Sequence, residues 1–440
     1  MSSADPSTNQ PRTGHQPSAR VSWVPRGHPT SWGILAITTS AILMTSVDGG
    51  LLTAVLPSVA HEFGLNTTQL GLVNSAFFAG TILGAIGFGL VSDRIGTGYR
   101  RSWIWTVAML IGVLGGALTF GFAASFAAFV ILRVVMGISR GGSEPTNVAL
   151  VGEWWPKEHR GFAVGVHHTG FPLGQFATGA LVALVLAFAS WQQVFLLVPL
   201  LGIPIMIAQV IVGRRARQQR VFDWIDANGL TRPTEELSVR VRGIGLESIK
   251  VALASSNVRW SVVLIFLLLW AETGASTFLT TQFTGLGMSN AQAALISGAT
   301  GLTGWIGQVV WGTVSDRSGR KFSLTYLVAG WAISMVVLAL ITGPGTAWLF
   351  LLIWGLVRNA PFPVTYALLI DSVPKAAGTA MGLMIGVALG VSGLFAGPVS
   401  GWIIQHWGFT THYLVLALVC ALCIVPLRRL RETAGAAHAP

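Results

Sequence analysis

The chain has 440 residues, of which only 10% are charged and 52% hydrophobic, and its mean hydropathy is +0.66. A soluble globular chain carries about 25% charge, so a set of water-soluble domains is excluded; the apolar supply instead suits roughly a dozen spans of about 20 residues. The net charge of +11 does not point to nucleic acid, because the basic residues fall in loops and tails on one side of those spans.

Residues 1–32, rich in Pro, Ser and Thr, read as a disordered tail and not as a cleaved signal peptide. Apolar runs over 33–56, 69–91, 103–122, 126–151, 162–188 and 191–212 predict six membrane helices. The polar stretch 213–257 reads as a linker. Six more runs follow at 258–281, 290–313, 323–342, 346–370, 379–403 and 411–427, then a short tail over 428–440. With the N-terminus in the cytoplasm, the inner loops carry Arg94, Arg100, Arg101, Lys157, Arg160, Arg317, Arg320, Lys321 and Lys375. The outer loops then hold neither Lys nor Arg. That asymmetry predicts a multi-pass protein of the cell membrane with both termini cytoplasmic. Cys420 and Cys423 form a C-x-x-C within the last run and read as small helix residues rather than a redox pair.

The chain repeats itself. GLVSDRIGTGYRR after the second run recurs as GTVSDRSGRK after the eighth, aligning Asp93 with Asp316. GISRGGSEPTNVALVGEWWPK recurs as GLVRNAPFPVTYALLIDSVPK. One common offset superposes Gly137 on Gly355, Arg140 on Arg358, Pro145 on Pro363, Glu153 on Asp371 and Pro156 on Pro374. Such agreement predicts an all-α integral membrane protein: twelve transmembrane helices in two pseudo-symmetric six-helix bundles, 33–212 and 258–427, joined by the linker.

The loop pattern G-x-x-x-D-R-x-G-x-R-K, nearly intact at Gly312–Lys321 and present with two extra residues at Gly89–Arg101, resembles that of the major facilitator superfamily. A narrower resemblance is to its anion:cation symporter branch, through Asp48-GGLLTAVLP, Arg133-VVMGIS-Arg140-GGSEP and WWPKEHRG. Two positions depart from that branch: Gly49 stands where many relatives have Arg, and Arg140 where they have Glu. The resemblance implies alternating access, with proton-coupled symport of a small organic anion by a monomer in the lipid bilayer, and neither nucleic acid nor cofactor as partner.

Ionisable side chains inside a bilayer are costly and therefore candidates for function. Here they are Asp48, Arg133, Arg140, Glu144, His167, His168, Glu272 and Arg358. Spacings of 7 and 11 put Arg133, Arg140 and Glu144 on one helical stripe, expected to face the central cavity. The repeat places Arg140 and Arg358 opposite each other, where paired guanidiniums suit a carboxylate; the competing reading is that each merely neutralises a nearby acid. Asp48 leads as proton carrier, followed by Glu272 and Glu144. His168, Phe171 and Gln175 share a helical face and, with Tyr366, Trp270 and Phe362, are candidates to line the site; packing is the alternative for the aromatics. By resemblance, Asp93, Arg101, Glu153 and Arg160 form a cytoplasmic latch, mirrored by Asp316, Arg320 and Asp371. Gly382, Gly386, Gly390, Gly393 and Gly397 suit close helix contact. No nucleotide loop, catalytic carboxylate pair or metal-ligand cluster appears, so an enzyme is not expected. A proton-coupled drug or cation exporter and a non-transporting receptor are the alternatives to symport.

Overall fold

A computed structural model of the chain describes residues 25–95, 98–123, 125–233, 246–373 and 377–433. All regular structure among them is helical. Helices α1 (Pro29–Phe63), α2 (Thr67–Ile95), α3 (Tyr99–Phe122) and α4 (Phe126–Trp154) form the first four spans. The fifth is built from α5 (Arg160–His168) and α6 (Gly170–Leu186), the sixth from α7 (Trp191–Leu200) and α8 (Gly202–Val212). The linker carries α9 (Arg215–Ala227) and α10 (Leu246–Ala254). In the second half α11 (Ser256–Gly285) precedes α12 (Asn290–Ser297) with α13 (Thr300–Ser318), then α14 (Arg320–Leu338) and α15 (Pro344–Arg358) with α16 (Pro361–Ser372). The chain ends in α17 (Ala377–Leu422) and α18 (Ile424–Arg429). Among the described residues, 11 stretches are long and apolar enough to cross a membrane. The last, Ala380–Arg429, turns back at Gly408 (φ 77°, ψ 176°) and so supplies both the eleventh and twelfth spans.

Local sequence sets the ends of these helices. Ser125 caps α4 by accepting the Ala128 N–H at 3.2 Å, satisfying an amide that has no partner within the helix. The repeated loops enter α3 and α14 through Gly98 (φ 67°) and Gly319 (φ 105°), a conformation that side chains with a Cβ resist. Each half has its own buried core, around Trp105, Phe129 and Phe195 in the first and Trp331, Trp354 and Leu416 in the second. The linker is more structured than its polar composition suggested. Val221 and Ile225 of α9 are buried under the first half, and Gln218 accepts the Tyr99 N–H at 3.2 Å.

The halves touch along one end of the molecule. Thr67 Oγ1 donates to Gly401 O (2.7 Å), Ser75 Oγ to Leu394 O (2.5 Å), and Asn74 Nδ2 to Thr277 Oγ1 (3.1 Å). All lie between mid-depth and the end lacking Lys and Arg. The glycine row on α17 divides in the same way. A Cβ on Gly397 would meet Gly71 at 3.0 Å and one on Gly390 would meet Ile82 at 3.4 Å, whereas Gly382 and Gly386 have open space around them. Glycine permits backbone-close packing at the sealed end, and among the described residues the two α17 glycines nearest the basic end are not packed against the first half.

Candidate substrate-binding site

Arg140 and Arg358 occupy matching places in the two halves, but their surroundings differ. Arg358 closes α15, just where the tenth span breaks. Its Nε donates to Glu272 Oε1 at 3.0 Å, and Nη2 lies 2.9 Å from the same oxygen. Nη1 donates to Thr300 Oγ1 (2.7 Å), Nη2 donates to Ser276 Oγ (3.0 Å), and the Trp354 ring lies 4.8 Å below. With side-chain exposure of 8%, this guanidinium is held by its own half.

Arg140 is held far less. Its Nε is 3.9 Å from Glu144 Oε2 and, though buried, has no hydrogen-bond partner. The guanidinium rests over the backbone of Gly49, where a Cβ would overlap Nη1. Asp48, on the preceding position of α1, is in electrostatic range of Arg140 and Arg133, and its Oδ1 is buried without a partner. Glu144 sits inside a span with 28% of its side chain exposed, so it borders open space at this part of the seam. Tyr366 of the other half is in electrostatic range of Glu144. Asp48, Arg140 and Glu144 therefore converge at the seam, with guanidinium and carboxylate groups whose hydrogen-bonding capacity is open to a ligand.

The two departures from the symporter branch explain each other. A side chain at position 49 would occupy the space that the Arg140 guanidinium fills. Gly49→Ala is expected to fold, since only the flexible end of Arg140 must move, and to lower uptake about tenfold by displacing it. An unchanged KM and kcat for uptake would show that Arg140 position is immaterial.

Arg133 does not belong to this cluster. It is 1% exposed, donates to Thr119 Oγ1 at 2.6 Å and lies 4.0 Å from the Phe195 ring centroid and 4.9 Å from that of Phe129. The helical stripe set its general direction; the long side chain carries the charge into an aromatic slot of its own bundle. The His168 ring is tilted by 43° to that of Phe171, with centroids 6.2 Å apart, beside buried His167. Gln175 Oε1 accepts from Asn359 Nδ2 (3.4 Å), which brings α6 to the residue following Arg358. Trp270 packs edge-on against Phe266, 5.7 Å away, and both Trp270 and Phe362 lie against the core of the second half.

At the basic end, Glu153 accepts Arg101 Nε–H at 2.9 Å with one oxygen and Gly98 N–H at 2.5 Å with the other. Arg160 is in electrostatic range of Glu153. Asp371 Oδ2 lies 3.6 Å from Arg320 Nε. Asp93 and Asp316 have side chains outside the described residues. Sequence reasoning missed Glu432, whose carboxylate accepts Arg320 N–H (2.8 Å) and Lys321 N–H (2.9 Å) at the start of α14. It does for α14 what Glu153 does for α3, and its tail position hid it.

The chain was compared with known proteins. The family model described as Major Facilitator Superfamily matches residues 38–384 and again 261–440. A probable sulfoacetate transporter, SauU, of Cupriavidus necator is 28% identical over 401 residues, covering 85% of this chain and 87% of that one. The 4-hydroxybenzoate transporter PcaK of Acinetobacter baylyi is 24% identical, covering 90% and 88%. Among solved structures, a D-xylose-proton symporter superposes with TM-score 0.73 at 18% identity, covering 92% of this chain and 99% of the other. Together with the helical architecture and its seam, these matches show that the chain belongs to the Major Facilitator Superfamily and is a membrane transporter, not an enzyme.

Proposed function

We propose that this transporter is a monomeric proton-coupled symporter of small organic anions, and that it moves a carboxylate or sulfonate through a site at Arg140. The observation that carries this reading is the contrast between the two repeat-related arginines. Arg358 is satisfied by Glu272, Thr300 and Ser276, whereas Arg140 has an unpartnered Nε beside partly exposed Glu144. A planar guanidinium with open donors takes an oxyanion by paired hydrogen bonds. The relatives named for sulfoacetate and 4-hydroxybenzoate support that anion class. Tyr366, in electrostatic range of Glu144, would select among anions together with the expected lining residues His168, Phe171, Gln175 and Trp270.

With the basic loops in the cytoplasm, where the excess of Lys and Arg places them, the sealed end faces outward and the site opens inward. Opening and closing then follow the rocking of two bundles about a midplane site, with the charged clusters at Glu153 and Asp371 as latches of the inner end. Glu153→Gln is expected to slow turnover about tenfold at unchanged KM, since a charge-assisted hydrogen bond contributes roughly 1.5–3 kcal/mol. A changed KM with normal turnover would place Glu153 in binding instead. The reading as a whole is tested in proteoliposomes: an inward proton gradient should accumulate aromatic or sulfonated acids and not amines or sugars. Accumulation of amines alone would overturn it.

A further inference from the structure

Away from the seam, at the basic end of the first half, a cavity of about 340 Å³ lies between α3, α8 and α9. Its walls are Tyr99, Ser102, Trp103, Val210, Arg214 and Arg215. Both arginines are exposed, and Arg214 Nε reaches back to Val210 O at 3.4 Å. The Ser102 hydroxyl, on a residue only 3% exposed, accepts from Gln209 Nε2 at 2.8 Å and keeps its own hydrogen to donate.

The cavity continues into an apolar track. Trp103, 59% exposed, begins a row that runs down α3 through Val107, Leu110 and Leu114, all outward-facing. Helix α8 packs beside α3 and turns Ile207 and Ile211 outward next to that row. Positive charge and a buried hydroxyl thus stand at the level where the spans end, with an exposed tryptophan at the boundary and an acyl-sized apolar track below. Trp at this level is the usual interfacial anchor, and basic pockets at span ends attract anionic headgroups.

We propose that this cavity binds an anionic phospholipid, its phosphate between Arg214 and Arg215 and one acyl chain along the α3–α8 track. A free phosphate would use the arginines but leave the track without a role. The bound lipid would join the linker helix α9 to α3 and α8, and so hold the linker against the first half.

The test uses the full chain purified in detergent, with native mass spectrometry reading bound lipid. Phosphatidylglycerol is expected to bind at least tenfold more tightly than phosphatidylcholine or glycerol phosphate. Each arginine near such a headgroup contributes roughly fivefold in affinity, so R214Q/R215Q should weaken phosphatidylglycerol binding about twentyfold. The same change at exposed Arg428 and Arg429 should leave it unaltered, and neither double variant should alter the melting temperature without lipid. Equal binding by R214Q/R215Q and the unsubstituted protein, equal losses in both double variants, or glycerol phosphate binding as tightly as the lipid would each overturn the proposal.

Discussion

Arg140→Lys is expected to lower carboxylate uptake by about ten- to hundredfold in a protein that still folds and inserts. Lysine keeps the charge but has no planar fork, so an oxyanion loses one of two parallel hydrogen bonds. One charge-assisted bond is worth roughly 1.5–3 kcal/mol, and about 1.4 kcal/mol is tenfold. Folding should survive because lysine keeps the charge beside Asp48 and Glu144, and what is lost is a 3.9 Å approach to Glu144 and a ring contact with Phe77 at 5.8 Å. Arg358 should respond differently. Removing it strands Glu272 inside the second half, and an uncompensated buried charge costs roughly 3–5 kcal/mol. Arg358→Ala should therefore express poorly, with recovery of expression when Glu272→Ala is added. Full uptake by Arg140→Lys, measured as initial rate against substrate concentration, would remove Arg140 from the binding site and leave Arg358 as the candidate of the pair.

The pair of arginines also marks the limit of what the sequence carries. The repeat made the positions of Arg140 and Arg358 legible, because homologous halves put homologous residues at equal depth. Their different partners were not legible, since Ser276 and Thr300 lie on other helices and hydroxyls in spans follow no pattern. Gly49 shows the same limit. It stood out as a missing arginine, but only the approach of α4 to α1 reveals that the gap is filled by Arg140. Spans were readable from apolar length, whereas the breaks at Thr169 and after Arg358 fall inside single span-length runs, where His-His-Thr-Gly and Arg-Asn-Ala-Pro interrupt the helix without ending the span. Glycine positions on α17 were readable as close-packing sites, yet which of them are in contact depends on the conformation adopted, and that is a property of the whole seam.

The proposed proton coupling assigns the carrier to an acid that faces the open arginine from another helix. Glu272 is tied to Arg358 by contacts of 2.9–3.0 Å, and Thr300 and Ser276 take the other Arg358 donors, so an anion has no open donor there to compete for. Asp48 has no such contact: its Oδ1 is buried without a hydrogen bond, with Arg140 and, less strongly, Arg133 in range to attract it. An incoming anion competes with Asp48 for the same guanidinium. Two negative charges sharing one positive partner repel, so anion and proton are taken up together when Asp48 carries the proton. Asp48→Asn imitates the protonated state permanently. It should therefore bind substrate and exchange it across a proteoliposome membrane at close to the unsubstituted rate, yet lose accumulation driven by a pH gradient. Glu144→Gln should retain gradient-driven accumulation, because Glu144 lies one helical turn from Arg140 on the same rigid α4. If Asp48→Asn still concentrates substrate when only a proton gradient is imposed, the coupling acid lies elsewhere, and Glu272 with its Arg358 partner becomes the pair to titrate.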